Sequence, residues 1–271
     1  MTVEKDYVLG THDEEIERLG LQHQVWQGRA TDAWRRAGFA TGQTLVDLGC
    51  GPGWAALDLG ELIGPSGRVL AIDRSRRFLD ALERAARDRS MTWIETRDSD
   101  LDQEELPAWN ADGIWSRWIY AFVREPRRLL RQAANTLRAG GVMVIHEYVD
   151  YRSWRLSPRR PEFEAFVNDV MASWRADGGE PDIGLCLPRW LDELGFEIRS
   201  LAPIVDVARP ADQVWRWPRA FVQVGVGRLV ELGRLDTARA DAIRMAFEQV
   251  EATPGAFMVT PMVIEIIAVR R

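Results

Sequence analysis

The chain has 271 residues, 46% of them hydrophobic and 28% charged, with a net charge of −6. That length buries a large core and suits one elaborated domain better than two independent ones, and the acidic balance argues against a nucleic-acid partner, because neutralising phosphates takes clustered Lys and Arg. Two distant cysteines, Cys50 and Cys186, exclude a disulfide scaffold and a closely spaced metal site; an acidic, polar amino end and no apolar run near the roughly 18 residues of a membrane span complete the expectation of a cytoplasmic protein.

Thr11 and Glu14 form a capping box that opens a helix from Thr11 to Trp26, with Ile16, Leu19, His23 and Trp26 on one face. From Gln43 onward, short β-type runs alternate with helices. The runs are TLVDLG (44–49), RVLAID (68–73), MTWIET (91–96), GIWSRW (113–118) and VMVIHEY (142–148). Helices between them span Trp54 to Ile63, closed by Gly64; Arg76 to Arg87, with Ser75 as N-cap; and Pro126 to Leu137, closed by Gly140-Gly141. Such alternation makes right-handed βαβ units and a parallel sheet covered on both faces. After Tyr148 the rhythm changes. Residues 151–161, rich in Arg, Ser and Pro, read as a linker; helices follow over 162–176 and 187–194, then a β-type run over 196–207. A helical block over 211–250 and a strongly β-branched strand over 257–269 close the chain.

VDLGCGPGW (46–54) places Gly49, Gly51 and Gly53 behind an apolar run that contains Asp47. Glycine there permits positive φ and lets backbone approach a ligand, and the helix from Trp54 offers free N–H groups. In a doubly wound sheet, ligands bind beyond the carboxyl ends of the strands at such a turn. A phosphate loop would need G-x-x-x-x-G-K-[ST], which is absent. The dinucleotide fingerprint G-x-G-x-x-G/A, counted from Gly49 and Gly51, ends on Trp54, whose ring spoils the close helix–strand packing that position serves.

D-x-G-x-G-x-G followed by an acid ending the next strand, in VLAIDRS (69–75), resembles the first motifs of class I S-adenosylmethionine-dependent methyltransferases. The likeness continues through TRDSD (96–100) and residues 111–148. The opening YVLGTHDEEIERLGLQ (7–22) is similar to the N-terminal helix of methyltransferases like those of ubiquinone and menaquinone biosynthesis. The resemblance implies an α/β fold: a doubly wound, mostly parallel seven-stranded sheet, Rossmann-like, with helical lid insertions. It implies an N-terminal helical lid (1–42), an S-adenosylmethionine-binding core (43–150), and a remainder (151–271) that completes the sheet and carries substrate-capping inserts at about 151–180 and 209–250.

The same resemblance assigns a donor site. Asp47 favours the methionine ammonium, and the Gly49–Gly53 backbone with Cys50 packs along the methionyl portion. Asp73, beside Arg74, accepts both ribose hydroxyls. Asp98 contacts adenine with Ser99 beside it, unless the DSD segment is only a cap or a solvated turn. Ser116 and Arg117 sit next to the methionyl carboxylate and the sulfonium, unless Arg117 pairs with a surface carboxylate. Tyr7 and Gln22 reach the site from the N-terminal helix. No metal is implied.

Methyl transfer is an in-line displacement at an activated carbon, so a base is needed only where the acceptor must lose a proton. The base candidate is His146, followed by Glu147 and Tyr148; the competing reading is a packed strand residue. His12 and His23 cap or line the lid. Trp118, Tyr148, Trp154 and Trp174 are candidate walls for a flat acceptor, although most aromatics of the inserts form the inserts' own core. SRWIYA stands where nucleic-acid amino-methyltransferases carry a Pro-Pro-aromatic segment, which again counts against DNA or RNA. The expected activity is methylation of a small aromatic or polycyclic metabolite at oxygen, carbon or nitrogen. The alternatives are a protein that binds S-adenosylmethionine without methylating and a dinucleotide-dependent redox enzyme. Inserts at the amino end of the sheet would instead form the interface of a homodimer.

Overall fold

The computed structural model describes residues 13–271. Tyr7, Thr11 and His12 lie outside them. Helix α1 (Asp13–Ala37) runs eleven residues past the expected end at Trp26, because Ala30, Ala33 and Trp34 continue its buried stripe until Gly38 stops it at φ +80°. The next elements follow the alternation closely: β1 (Thr44–Leu48), α2 (Trp54–Ile63), β2 (Arg68–Asp73) and α3 (Arg76–Asp88), whose N-cap Ser75 accepts from the Phe78 amide. Then come β3 (Ile94–Asp98), β4 (Ala111–Arg117), α4 (Pro126–Thr136) and a 14-residue β5 (Leu137–Asp150).

The carboxyl half departs further from the sequence reading. The expected linker holds a 3-10 turn at Tyr151–Ser153 and strand β6 (Arg155–Ser157). Helices α5 (Pro161–Ala176) and α6 (Leu187–Glu193) lead to β7 (Phe196–Ile204) and β8 (Val207–Ala208). The helical block is two helices, α7 (Arg216–Glu231) and α8 (Thr237–Glu251), broken at Gly233 (φ +66°) and restarted by the Asp236 side chain on the Arg239 amide. The final β-branched run is also two strands, β9 (Phe257–Val259) and β10 (Met262–Arg270). They part at Thr260-Pro261, where Thr260 turns aside to bond Asp206 and proline has no N–H for a ladder.

One seven-stranded sheet has the order β3-β2-β1-β4-β5-β10-β7, parallel from β3 to β5, with β10 antiparallel between β5 and β7. This is the doubly wound, mostly parallel sheet that the motifs imply. Strand alternation sends Val46, Leu48, Ile72, Ile114 and Ile145 into a core shared with α4 and the inserted helices. Leu45, Val69, Ala71, Trp115 and Val144 face α2, α3 and the end of α1. A second sheet, β6-β9-β8, pairs Arg155–Ser157 with Phe257–Val259 across a hundred residues of chain. No local signal marks β6, because its partner exists only in three dimensions.

The inserts have an aromatic interior. Trp154, 2% exposed, sits edge-on to Phe163 at 4.9 Å, and Trp174, 3% exposed, packs on Phe122 at 4.6 Å and Tyr151 at 5.0 Å. Both are core residues of the cap, which corrects the expectation that they wall an acceptor pocket. Trp154→Ala should therefore cost about 3–5 kcal/mol of unfolding free energy in urea, with ligand binding elsewhere unchanged in the folded fraction.

Candidate functional site

At the carboxyl ends of β1, β2 and β4 a cleft opens toward α1. Its floor is the turn between β1 and α2. Gly49, Gly51 and Gly53 have φ of +69°, +55° and +86°, a region costly for any residue with a Cβ. A Cβ on Gly53 would collide with Leu82, and one on Gly49 would come 2.7 Å from Ile119. A Cβ on Gly51 would meet only Leu19, at 3.9 Å, and would otherwise occupy the open cleft. Gly53 therefore serves helix packing, while Gly51 keeps the cleft clear. Trp54 and Ala55 bring the start of α2 to the cleft wall, where Gly53 provides no side-chain cap.

Asp73 closes the turn. Its Oδ2 accepts from the Gly51 amide at 2.8 Å and its Oδ1 from the Ser75 amide at 2.9 Å. Burial raises its pKa against those two donors. Each oxygen keeps a lone pair on the cleft side. Beyond Asp73 the cleft extends between Arg74, Ser99, Leu101, Asp102 and Ile119. Asp98 ends β3 exposed to solvent and does not line this extension, a correction to the adenine-side reading; Asp102 is the acid that lines it. The exposed run of acids gave no hint of which one turns inward.

Asp47 and Arg117 share the face of the sheet that looks toward α1 and α2, since Asp47 is in register with Trp115 and Arg117 lies two residues further. Asp47 is 2% exposed, and among the described residues its Oδ2 has no hydrogen-bond partner. Burial pushes its pKa up to about 7, with Arg117 opposing and Asp73 adding to the shift. Burial lowers Arg117 to about 10. Its Nη1 is buried with no hydrogen-bond partner among the described residues, and its guanidinium lies 5.2 Å from the Trp118 ring centroid. A carboxylate and a guanidinium thus line one cleft, each with an unused polar atom. Gln22, Cys50 and Trp118 line the same cleft. Burial raises the Cys50 thiol well above its usual range, so it is no nucleophile. Trp118 adopts φ +54° and is sandwiched between Tyr148 at 5.2 Å and Trp217 at 5.5 Å, so an edge, not a free face, meets the cleft. Tyr148 supports that wall from behind.

Two expectations fail, Ser116 through strand alternation and His146 through enclosure. Ser116 points to the opposite face of β4 and is fully buried, so its hydroxyl is not at the cleft. His146 is fully buried on a rung of the sheet between Arg117 and Glu265. Its Nε2 lies 3.1 Å from Glu265 and its ring packs on Trp115 at 4.9 Å. Burial lowers its pKa, and the ring does not line the cleft. It is a packed strand residue, neither base nor acceptor contact. Its neighbour Glu147 was the overlooked residue. Fully buried, it accepts from the amides of Tyr120 (2.9 Å), Ala121 (3.3 Å) and Tyr148 (3.0 Å), and so fixes the loop after β4 that carries Trp118 and Ile119. An acid beside a histidine in a β-type run was its only signal. Among the described residues no three His, Cys, Asp or Glu side chains converge as metal ligands.

Residues 46–145, from β1 into β5, match the family model described as methyltransferase domain. Over those residues the chain resembles a methyltransferase domain. The chain is 34% identical over 150 residues to the demethylmenaquinone methyltransferase of Lactococcus lactis subsp. lactis, covering 55% of this chain and 57% of that one. The nocamycin O-methyltransferase of Saccharothrix syringae is 27% identical over 221 residues, 75% of this chain and 77% of its own. The chain spans about half the length of the curated relatives it matches first. A putative methyltransferase from Bacillus halodurans shares the fold, with a TM-score of 0.58 at 14% identity over 89% of this chain and 98% of its own. Glu147→Gln should cost about 1–3 kcal/mol, because a side-chain amide cannot accept from every backbone donor. Hydrogen exchange should quicken at the Tyr120 and Ala121 amides, while exchange in β1 and β2 stays slow.

Proposed function

We propose that the protein transfers a methyl group from S-adenosylmethionine to a small-molecule acceptor. The observation that carries this reading is the pair of unused buried groups, Asp47 Oδ2 and Arg117 Nη1, in one cleft. An α-amino acid end, ammonium and carboxylate together, complements both at once, and a dinucleotide or nucleoside triphosphate does not. Asp73 accepts the ribose hydroxyls on its free lone pairs, and Gly51 leaves room for the methionyl chain. Arg74, Ser99 and Asp102 flank the adenine. Gln22, held at 2.9 Å by Arg18, closes the cleft from α1.

The sulfonium supplies a methyl carbon already activated for displacement. What this chain contributes is placement. Arg117 and Asp47 fix the amino acid end, Asp73 fixes the ribose, and α1 with the cap excludes water from the reacting atoms. The acceptor is a flat, largely apolar metabolite resting against Leu19, the Trp118 edge and Ile119, methylated at oxygen, carbon or nitrogen. The relatives named for demethylmenaquinone, nocamycin and aklanonic acid support an acceptor of this kind. Residues 1–42 act as lid, and the inserts as cap.

Calorimetry with adenosylhomocysteine, NAD and ATP tests the donor, and release of adenosylhomocysteine in the presence of candidate acceptors tests the transfer. Binding of adenosylhomocysteine alone is expected; tight NAD binding without it would overturn the reading. Asp73→Ala should weaken adenosylhomocysteine about 30- to 1,000-fold. It should also lower the melting temperature of the free protein, since the Gly51 and Ser75 amides lose their acceptor.

Affinity should also depend on pH. The ligand ammonium favours ionised Asp47, whose pKa in the free protein is about 7. Binding therefore tightens as pH rises through 7 and releases protons below it. Asp47→Asn should weaken binding and remove that dependence, as read by calorimetry in buffers of different ionisation enthalpy.

A further inference from the structure

Arg117 raises a problem that its own strand does not solve. A guanidinium on a long side chain, buried beside Asp47, has every reason to swing onto that carboxylate and quench both charges. It does not, and the only side chain to which it donates among the described residues is a histidine on another element.

His23, 5% exposed on α1, has Nδ1 3.4 Å from Arg117 Nη2 and Nε2 2.9 Å from Asp58 Oδ2 on α2. Guanidinium only donates, so Nδ1 accepts and carries no proton. The ring proton therefore sits on Nε2 and is donated to Asp58. Gln27 Nε2 donates to the same Oδ2 at 2.9 Å, which steadies Asp58 from one turn further along α1. Burial, with Arg117 nearby, lowers the pKa of His23 and keeps the ring neutral.

We infer that His23, set in one tautomer by Asp58, is a positioning residue that aims Arg117 at the carboxylate of the methyl donor. Resting on the donor reading above, this assigns a use to two residues outside the glycine motif. Neutrality is the point. A carboxylate in place of His23 would hold the guanidinium but cancel its charge. A neutral imidazole holds one arm by a hydrogen bond and leaves the positive charge, and Nη1, for the ligand. Because His23 belongs to α1 and Asp58 to α2, the arrangement also ties the covering helix to the carboxylate end of the cleft.

The test compares two ligands. Adenosylhomocysteine has the amino acid end, and 5′-methylthioadenosine lacks it. His23→Leu should weaken adenosylhomocysteine about five- to tenfold and leave methylthioadenosine unchanged. His23→Gln, whose amide can accept from Arg117 and donate to Asp58 without titrating, should restore most of the loss. Asp58→Ala, at a partly exposed site, should show a smaller loss with the same selectivity and serves if the His23→Leu protein does not fold. Equal weakening of both ligands without rescue by glutamine would reduce His23 to a packing residue and overturn the inference, as would wild-type affinities in both variants. Failure of the wild-type protein to bind adenosylhomocysteine would instead overturn the donor reading itself.

Discussion

Asp73 is the point from which the site is built. Its two oxygens accept the amides of Gly51 and Ser75, so one carboxylate joins the turn after β1 to the start of α3. The turn needs that anchor because three of its residues are at positive φ and cannot hold themselves by side-chain packing. Held there, the turn delivers Asp47 and Gly51 to the cleft and the start of α2 to its wall. The residue that lines the cleft is also the one that shapes the backbone around it, so a change at Asp73 alters both the lining and local stability.

Buried charge on one face of the sheet is sorted into two groups. On the rung of Arg117, His146 and Glu265, the acid is satisfied by His146 and by Arg36, which reaches it from the surface at 2.7 Å. Asp47 and Arg117 are left with unused polar atoms at the cleft. Leaving them so costs folding free energy, since a desolvated charge without a full complement of partners is unfavourable.

The packing of the inserted segments explains why their aromatics were harder to read than the glycine turn. Trp118 is caught between Tyr148 and Trp217, and Trp154 and Trp174 lie among Phe163, Phe122 and Tyr151. Of the chain's twelve tryptophans, Trp154, Trp174, Trp215 and Trp217 are buried in the inserted segments. Glu147 continues that logic from below by pinning the backbone of the loop that carries Trp118. The glycine turn rests on backbone conformation and single charges, and the loop after β4 on packed rings.

The sequence by itself determined the parallel core, the glycine turn, Asp47 and Asp73, and the ends of α2 and α3. These depend on signals a few residues long: apolar period, positive-φ glycines, an N-cap serine and an acid at a strand end. Tertiary structure alone decided which members of those segments reach the cleft. Ser116 and Arg117 are adjacent, yet alternation sends only Arg117 to it. His146 carries the chemistry of a base but is enclosed between Trp115 and Glu265, the latter 119 residues away. Asp98 and Asp102 are indistinguishable in an acidic run until the loop folds. β6 and the partnership of His23 with Arg117 are equally invisible along the chain, because each is made with a partner far away in sequence. Local signals specify what an element is, whereas the direction a side chain faces and the company it keeps follow from packing between elements.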